Sequence, residues 1–445
     1  MTHQPSTARE IDRRILHLAW PALGALIAEP VFVLIDSAVV GHLGRAPLAG
    51  LSLASNVLIS VVSIFIFLAY ATTAAVSRYQ GAGKVREGIN LGVDGMWLAL
   101  ILGLVITIPG MIFAPNVVQL LGASPDVLPH ATAYLRTSIP GTTGMLLVFA
   151  ATGTLRGLQD TRTPFIAAVV GAIANTIGSI TFVYPLGMGI AGSGLATALT
   201  QIGMGTWLVY KVFDGGRNLG GINLKPHFGG IWHAAQAGIP LFIRTLTLRA
   251  AVIITVVVAT SLGDIALAAH QIVNSMWGLT SFALDALAIA AQALIGSGLG
   301  GADPGLVRQY TRRALMWGVV AGSGIGFLIA ISGFGITPLF TSDPQVQHAA
   351  TWALVVCGVV MPIAGWVFVL DGVLIGAGDG RFLAVAGVTT LVAYLPLVGA
   401  VWAWAPADTI GLVWLWIGFG CGYMLARAIT LGVRASGEKW IVLGI

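Results

Sequence analysis

Charge is what this chain lacks. Its 445 residues include only 22 Lys+Arg and 17 Asp+Glu, so 9% of positions are charged where a soluble domain carries about 25%. With 57% hydrophobic residues and 59 glycines, too few polar groups remain to cover a water-exposed surface, which excludes a soluble enzyme. A net charge of +5 carried by so few basic residues does not make a nucleic-acid binder. Cysteine is equally scarce: Cys357 and Cys421 alone make no disulfide framework. Strict alternation of apolar and polar residues is missing too, which excludes a transmembrane β-barrel. What is present are long continuous apolar runs, and in a bilayer these must be helices, because only a helix satisfies its own backbone there.

A helix needs about 20 apolar residues to cross. The uncharged gaps hold 32 residues between Arg45 and Arg78, 31 between Asp94 and Asp126, and 48 between Arg162 and Lys211. The last gap must hold two helices, divided at Tyr184-Pro185-Leu186-Gly187-Met188-Gly189. This reading predicts an all-α membrane protein of twelve transmembrane helices in two pseudo-symmetric six-helix lobes. The expected spans are 14–41, 47–77, 88–113, 127–155, 163–185 and 190–212, then 231–260, 265–297, 306–333, 345–375, 381–404 and 409–433. Arg9, Arg13 and Arg14 lead straight into the first span, which is too long for a signal-peptide core, so that span is expected to be retained. Basic residues gather in alternate loops, and Arg45 alone falls in the others, which places both termini in the cytoplasm and the chain in the cytoplasmic (inner) membrane.

The chain repeats itself at an offset of 219 residues: Pro21 matches Pro240, Gly44 matches Gly263, Gly153 matches Gly372, Asp160 matches Asp379 and Arg162 matches Arg381. Six helices are duplicated in parallel orientation, as in some transporters. The expected division is an N-terminal lobe over 1–213, a cytoplasmic linker over 214–230 and a C-terminal lobe over 231–445. The Asp214-Gly215-Gly216-Arg217-Asn218-Leu219-Gly220-Gly221 stretch is the candidate hinge.

A charge at membrane depth costs about 2.5 to 3.5 kcal/mol on the insertion scale, so such charges usually face a cavity and have a function. Glu29 and Asp36 stand seven residues apart, which puts both on one face of the first helix about 10 Å from each other. Desolvation disfavours the ionised form of a carboxylate, so a membrane-embedded acid can bind protons reversibly. Both are therefore proton-coupling candidates. Pro21 and Pro30 remove backbone hydrogen bonds from the same helix, which should bend near them. Ser37, Asn56, Asn175, Ser179, Thr197, Thr200 and Gln201 are candidates to line the first-lobe cavity, with Asn175 the foremost. At the matching register the second lobe has Leu248 and Thr255 in place of the two acids, so coupling is expected in one lobe. Asp285 and Asp371 are second-lobe ion-binding candidates, with Arg244 and Arg249 as their counter-charges. Asp94 and Arg136 are expected to snorkel at span ends. No metal site and no phosphate-binding loop is expected: Gly81-Ala82-Gly83-Lys84 lacks the upstream glycine and the following Ser or Thr.

Two runs resemble a known family. Val33-Leu34-Ile35-Asp36-Ser37-Ala38-Val39-Val40-Gly41-His42-Leu43-Gly44 and Ala151-Thr152-Gly153-Thr154-Leu155-Arg156-Gly157-Leu158-Gln159-Asp160-Thr161-Arg162-Thr163-Pro164 are similar to multidrug and toxic compound extrusion (MATE) transporters of the DinF-like branch. Phe282-Ala283-Leu284-Asp285, Leu370-Asp371-Gly372 and Gly376-Ala377 support the likeness. The resemblance implies export of lipophilic, often cationic compounds in exchange for protons or sodium. It implies that Asp36 is the coupling acid, that Pro21 is where helix 1 bends on protonation, and that Asn175 belongs to the same pocket. Ser179 departs from the family, whose members commonly have an Asp there, and the helix 7 acid of sodium-coupled relatives is missing.

The expectation is thus a proton-coupled drug antiporter with no enzyme activity and no cofactor beyond the ion gradient. Its partners would be a small-molecule substrate and the bilayer, with no nucleic acid, and it would act as a monomer. Sodium-coupled antiport is one alternative. Another is a flippase of lipid-linked precursors, for which Arg136, Arg244 and Arg249 would meet a pyrophosphate.

Overall fold

The computed structural model describes residues 7–217, 223, 225–406 and 409–445; the side chain of Glu29 also lies outside the described set. All described elements are helical and no strand occurs among the described residues. Twelve long helical segments follow one another: α1 (Ala8–Gly41), α2 (Arg45–Gly81), α3 (Val85–Leu120), α4 (Leu128–Ser138 with Pro140–Gly157), α5 (Arg162–Val183), α6 (Ile190–Arg217), α7 (Phe228–Ser261), α8 (Asp264–Gly300), α9 (Pro304–Ser332), α10 (Pro344–Gly376), α11 (Gly380–Trp404) and α12 (Thr409–Ser436). Ten are long and apolar enough to cross a membrane. The two parts of α4 meet that test together, bent by 44° at the break before Pro140. The remaining one, α6, has the length but is less apolar. Each expected span coincides with one of these helices, and the break at 184–189 holds Gly187 and Gly189 at φ 64° and 57°, a turn that glycine tolerates.

Interruptions have local causes. α2 loosens at Phe65 and Ile66 before resuming at Phe67. α12 contains a π-helical stretch, Gly418–Met424, in a run of three glycines. The first four residues of the expected hinge, Asp214 to Arg217, are the last turn of α6; residues 218–222 lie outside the described set.

The duplication is visible in backbone detail. Left-handed residues recur at the repeat offset: Gly44 and Gly263, Gly83 and Ala302, Gln159 and Gly378. Close helix crossings recur as well. A Cβ on Gly153 would lie 2.6 Å from the Ala69 carbonyl oxygen, and one on Gly372 would lie 2.4 Å from that of Ala288, the matching position. Only glycine lets α4 approach α2 and α10 approach α8 so closely, and α4 and α10 are the buried centres of their respective halves.

By contacts, Gly24–Gly238 form one compact unit, and Ile239–Gly444 together with the chain up to Leu23 form another. The units thus depart from chain order at α1, whose start is joined to α9 by a set of polar bonds. Arg313 pairs with Asp12 through Nε at 2.8 Å and through Nη2, the Trp317 indole N–H donates to Asp12 at 2.9 Å, and Arg14 donates to the Tyr310 hydroxyl at 3.0 Å.

Candidate functional site

The first unit holds a small cavity of about 70 Å³ built by one face from each of five helices. α1 brings Phe32, Val33 and Asp36, spaced i, i+1 and i+4, so that all point one way. α5 brings Asn175 and Ser179, one turn apart and stacked over each other. α6 brings Thr197, Thr200 and Gln201, again three and four residues apart.

Asp36 is the centre of this arrangement and is only 4% exposed. Its Oδ1 accepts from Asn175 Nδ2 at 3.1 Å and from Ser179 Oγ at 2.8 Å, and its Oδ2 accepts from Thr197 Oγ1 at 3.1 Å. All three donors are neutral, and Asp36 forms no ion pair among the described residues. Thr197 Oγ1 also lies 3.1 Å from the Ser193 carbonyl, so one hydroxyl proton has two acceptors. Asn175 Oδ1 is buried without a partner.

Four of the expected cavity residues need comment. Thr200 and Gln201 line the wall, as expected, without a hydrogen bond to Asp36 among those described. Ser37 does not face the cavity: its hydroxyl donates back to the Val33 carbonyl at 2.7 Å, the usual choice for a helical serine. Asn56 is exposed, and its neighbour Ser55 lines the cavity in its place, a difference of about 100° around α2. Tyr134 was missed altogether; it lies on the separate first part of α4, whose break sets its facing. Glu29 falls within α1, but its side chain is outside the described residues. Pro21 and Pro30 both lie inside α1, which is helical throughout.

Asp94 does not snorkel. It is buried ten residues into α3, where the first turn of α7 crowds it: a Cβ on Gly230 would overlap its Oδ2. Arg136 is exposed, as a snorkelling residue should be, and donates to the Met111 carbonyl at 3.3 Å.

The second unit is built otherwise. Asp371 pairs with Arg244, the expected partner, and also accepts from Arg427 Nη2 at 3.2 Å. Arg427 went unrecognised in the sequence although it stands 18 residues into α12, deep enough for the rule that flags charges at membrane depth. Arg249 and Asp285 have interactions of their own and are not free. At the position matching Asp36, Thr255 bonds to the Tyr394 hydroxyl at 2.8 Å, and Tyr394 itself matches Asn175. Trp416 matches Thr197 and Phe419 matches Thr200, with ring centroids 5.6 Å apart. The space that is a cavity in one repeat is filled by packed aromatic rings in the other.

The MatE family model matches this chain twice, over residues 21–181 and 240–398. The chain is 28% identical to the chloroplastic protein DETOXIFICATION 44 of Arabidopsis thaliana, over 99% of this chain and 86% of that one. It is 27% identical to DNA damage-inducible protein F of Escherichia coli, over 88% of each. Among solved structures, a variant of the Vibrio cholerae MATE transporter VcmN shares the fold with a TM-score of 0.87 at 21% identity, covering 98% of this chain and 99% of that one.

Proposed function

The chain belongs to the family of multidrug and toxic compound extrusion transporters, and from that premise we propose that it exports lipophilic or cationic small molecules across the cytoplasmic membrane in exchange for protons, with Asp36 as the proton carrier. The observation that carries this reading is a buried carboxylate whose described partners are all neutral. An acid held by a cation must break an ion pair to take up a proton. Asp36 has none to break.

Its partners suit both protonation states. Hydroxyls donate and accept with equal ease. When Asp36 gains a proton, Thr197 can turn its hydrogen to the Ser193 carbonyl and accept from the acid, and the unpartnered Asn175 oxygen becomes available if the amide rotates. Hydrogen bonds to a charged group contribute about 1.5–3 kcal/mol each, against about 1 for neutral ones. Protonation therefore weakens the hold of α5 and α6 on α1. Pro21 and Pro30 leave α1 short of backbone hydrogen bonds and let it bend once loosened. A substrate cation entering a wall of Phe32, Leu58 and Ile59 beside Asp36 would favour the ionised acid, so substrate and proton exclude each other. The excess of basic residues in alternate loops supports cytoplasmic termini, and the proposed transport unit is a single chain.

Asp36→Asn should abolish efflux driven by a pH gradient in proteoliposomes while leaving a monodisperse, folded protein; undiminished transport would overturn the scheme. Proton release on adding substrate, measured with and without sodium, separates the two coupling ions: release that needs no sodium supports the proton, and no release at all refutes it.

A further inference from the structure

The second unit carries a groove of about 400 Å³ between the first turns of α1 and the N-terminal half of α9, lined by Ala8, Ile11, Gln309, Arg312, Arg313 and Met316. Both helices begin on the side of the basic loops. Of the arginines around it, Arg14 pairs with Glu10, Arg308 with Glu438 and Arg313 with Asp12. Arg312 is exposed and has no ion pair among the described residues. The groove thus has in its wall one cation outside any described ion pair, Arg312, with the amide of Gln309 beside it.

Its continuation is apolar. Along α9 the residues four, seven and eight positions after Arg312 are Met316, Val319 and Val320, on the same face and 37%, 37% and 53% exposed. A cationic residue followed toward the bilayer by an uncovered apolar strip matches a molecule with an anionic head and a hydrocarbon tail. A guanidinium fork fits phosphate oxygens in pairs, and the cytoplasmic leaflet is where anionic lipids meet basic pockets between helices. We infer that this groove is a binding site for an anionic phospholipid, with Arg312 and Gln309 on the phosphate and the Met316–Val320 strip along an acyl chain. The inference rests on the orientation proposed above.

The test is native mass spectrometry of the full-length protein purified with equal amounts of phosphatidylglycerol and phosphatidylcholine. Phosphatidylglycerol should stay bound at activation energies that strip phosphatidylcholine. Arg312→Gln should lower its retained fraction about tenfold, the loss of charge-assisted bonds to one phosphate. Arg312→Lys should fall between, since it keeps the charge and loses the fork, and Gln309→Leu should give a smaller loss. Equal retention of both lipids, or full retention by Arg312→Gln, would overturn the assignment. Displacement of the lipid by millimolar inorganic phosphate would mark a free-anion site and also overturn it. Orientation is read separately by labelling Arg312→Cys, in a Cys421→Ser background, with a membrane-impermeant maleimide. Labelling confined to right-side-out vesicles refutes the orientation, whereas lost lipid selectivity with labelling confined to inverted vesicles refutes the site alone.

Discussion

Removing the carboxylate of Asp371 should damage stability and spare coupling, the reverse of what is expected at Asp36. Asp371 is buried between Arg244 and Arg427, and its two oxygens are shared between the two guanidiniums. Asp371→Asn leaves both cations buried without this anion, a change that costs about 3–5 kcal/mol in buried ion pairs. Arg427→Met leaves the Arg244–Asp371 pair intact and removes the longer bond, at 3.2 Å, for which about 1–2 kcal/mol is expected. At roughly 2–4 °C per kcal/mol for units of this size, Asp371→Asn should lower the apparent melting temperature by about 10 °C and Arg427→Met by less than half as much. The measurement is thermal unfolding of the purified variants in detergent, followed by pH-gradient-driven efflux in proteoliposomes normalised to folded protein. Efflux should persist in both variants. A normal melting temperature combined with lost efflux in Asp371→Asn would show that the second-lobe acid carries the ion and that Asp371 is no structural clamp.

Two further outcomes are expected. Thr197→Val removes the one described donor to Asp36 Oδ2 and should slow pH-gradient-driven efflux at least tenfold, whereas Thr197→Ser should retain it; equal rates in the two variants would show that the hydroxyl is not used. Gly153→Ala and Gly372→Ala each place a methyl group within 2.6 Å of a carbonyl oxygen of the facing helix, and each should destabilise by about 1–3 kcal/mol in thermal unfolding; an unchanged melting temperature in either would mean that the crossing is looser than described.

The sequence made legible whatever follows from spacing along the chain. The bounds of α2 and α8, Arg45–Gly81 and Asp264–Gly300, stand at the repeat offset at both ends, because charged residues and tight turns recur at that offset. Asp36 and Asn175 could be singled out because a polar group in an apolar run is conspicuous. What spacing does not give is the rotation of a helix about its axis, and Asn56 was expected in the cavity where Ser55 lies for that reason. Nor does it pair charges across long separations: Arg427 is 56 residues from Asp371, and only the packing of α10 against α12 makes them partners. At α1, where the compact units depart from chain order, Asp12 meets Arg313 some 301 residues later, which no local pattern announces.

The two halves share a backbone yet are chemically unequal, and the reason lies in the partners more than in the acid. Around Asp36 the first half supplies an amide and two hydroxyls. Transferred by the repeat, those three positions become Tyr394, Val398 and Trp416, of which Tyr394 alone reaches position 255. An acid introduced there by Thr255→Asp would have one hydroxyl donor and a wall of aromatic rings, and an ill-satisfied buried charge costs several kcal/mol. Thr255→Asp by itself should therefore destabilise the protein and leave the number of protons released per bound substrate unchanged. Only with Val398→Ser and Trp416→Thr, which restore two hydroxyls and open the space the indole fills, should a second proton appear. The measurement is proton release on substrate binding by calorimetry in buffers of different ionisation enthalpy. Doubled release from Thr255→Asp alone would show that the carboxyl suffices without its donors, and the hydrogen-bond argument for Asp36 would fall with it.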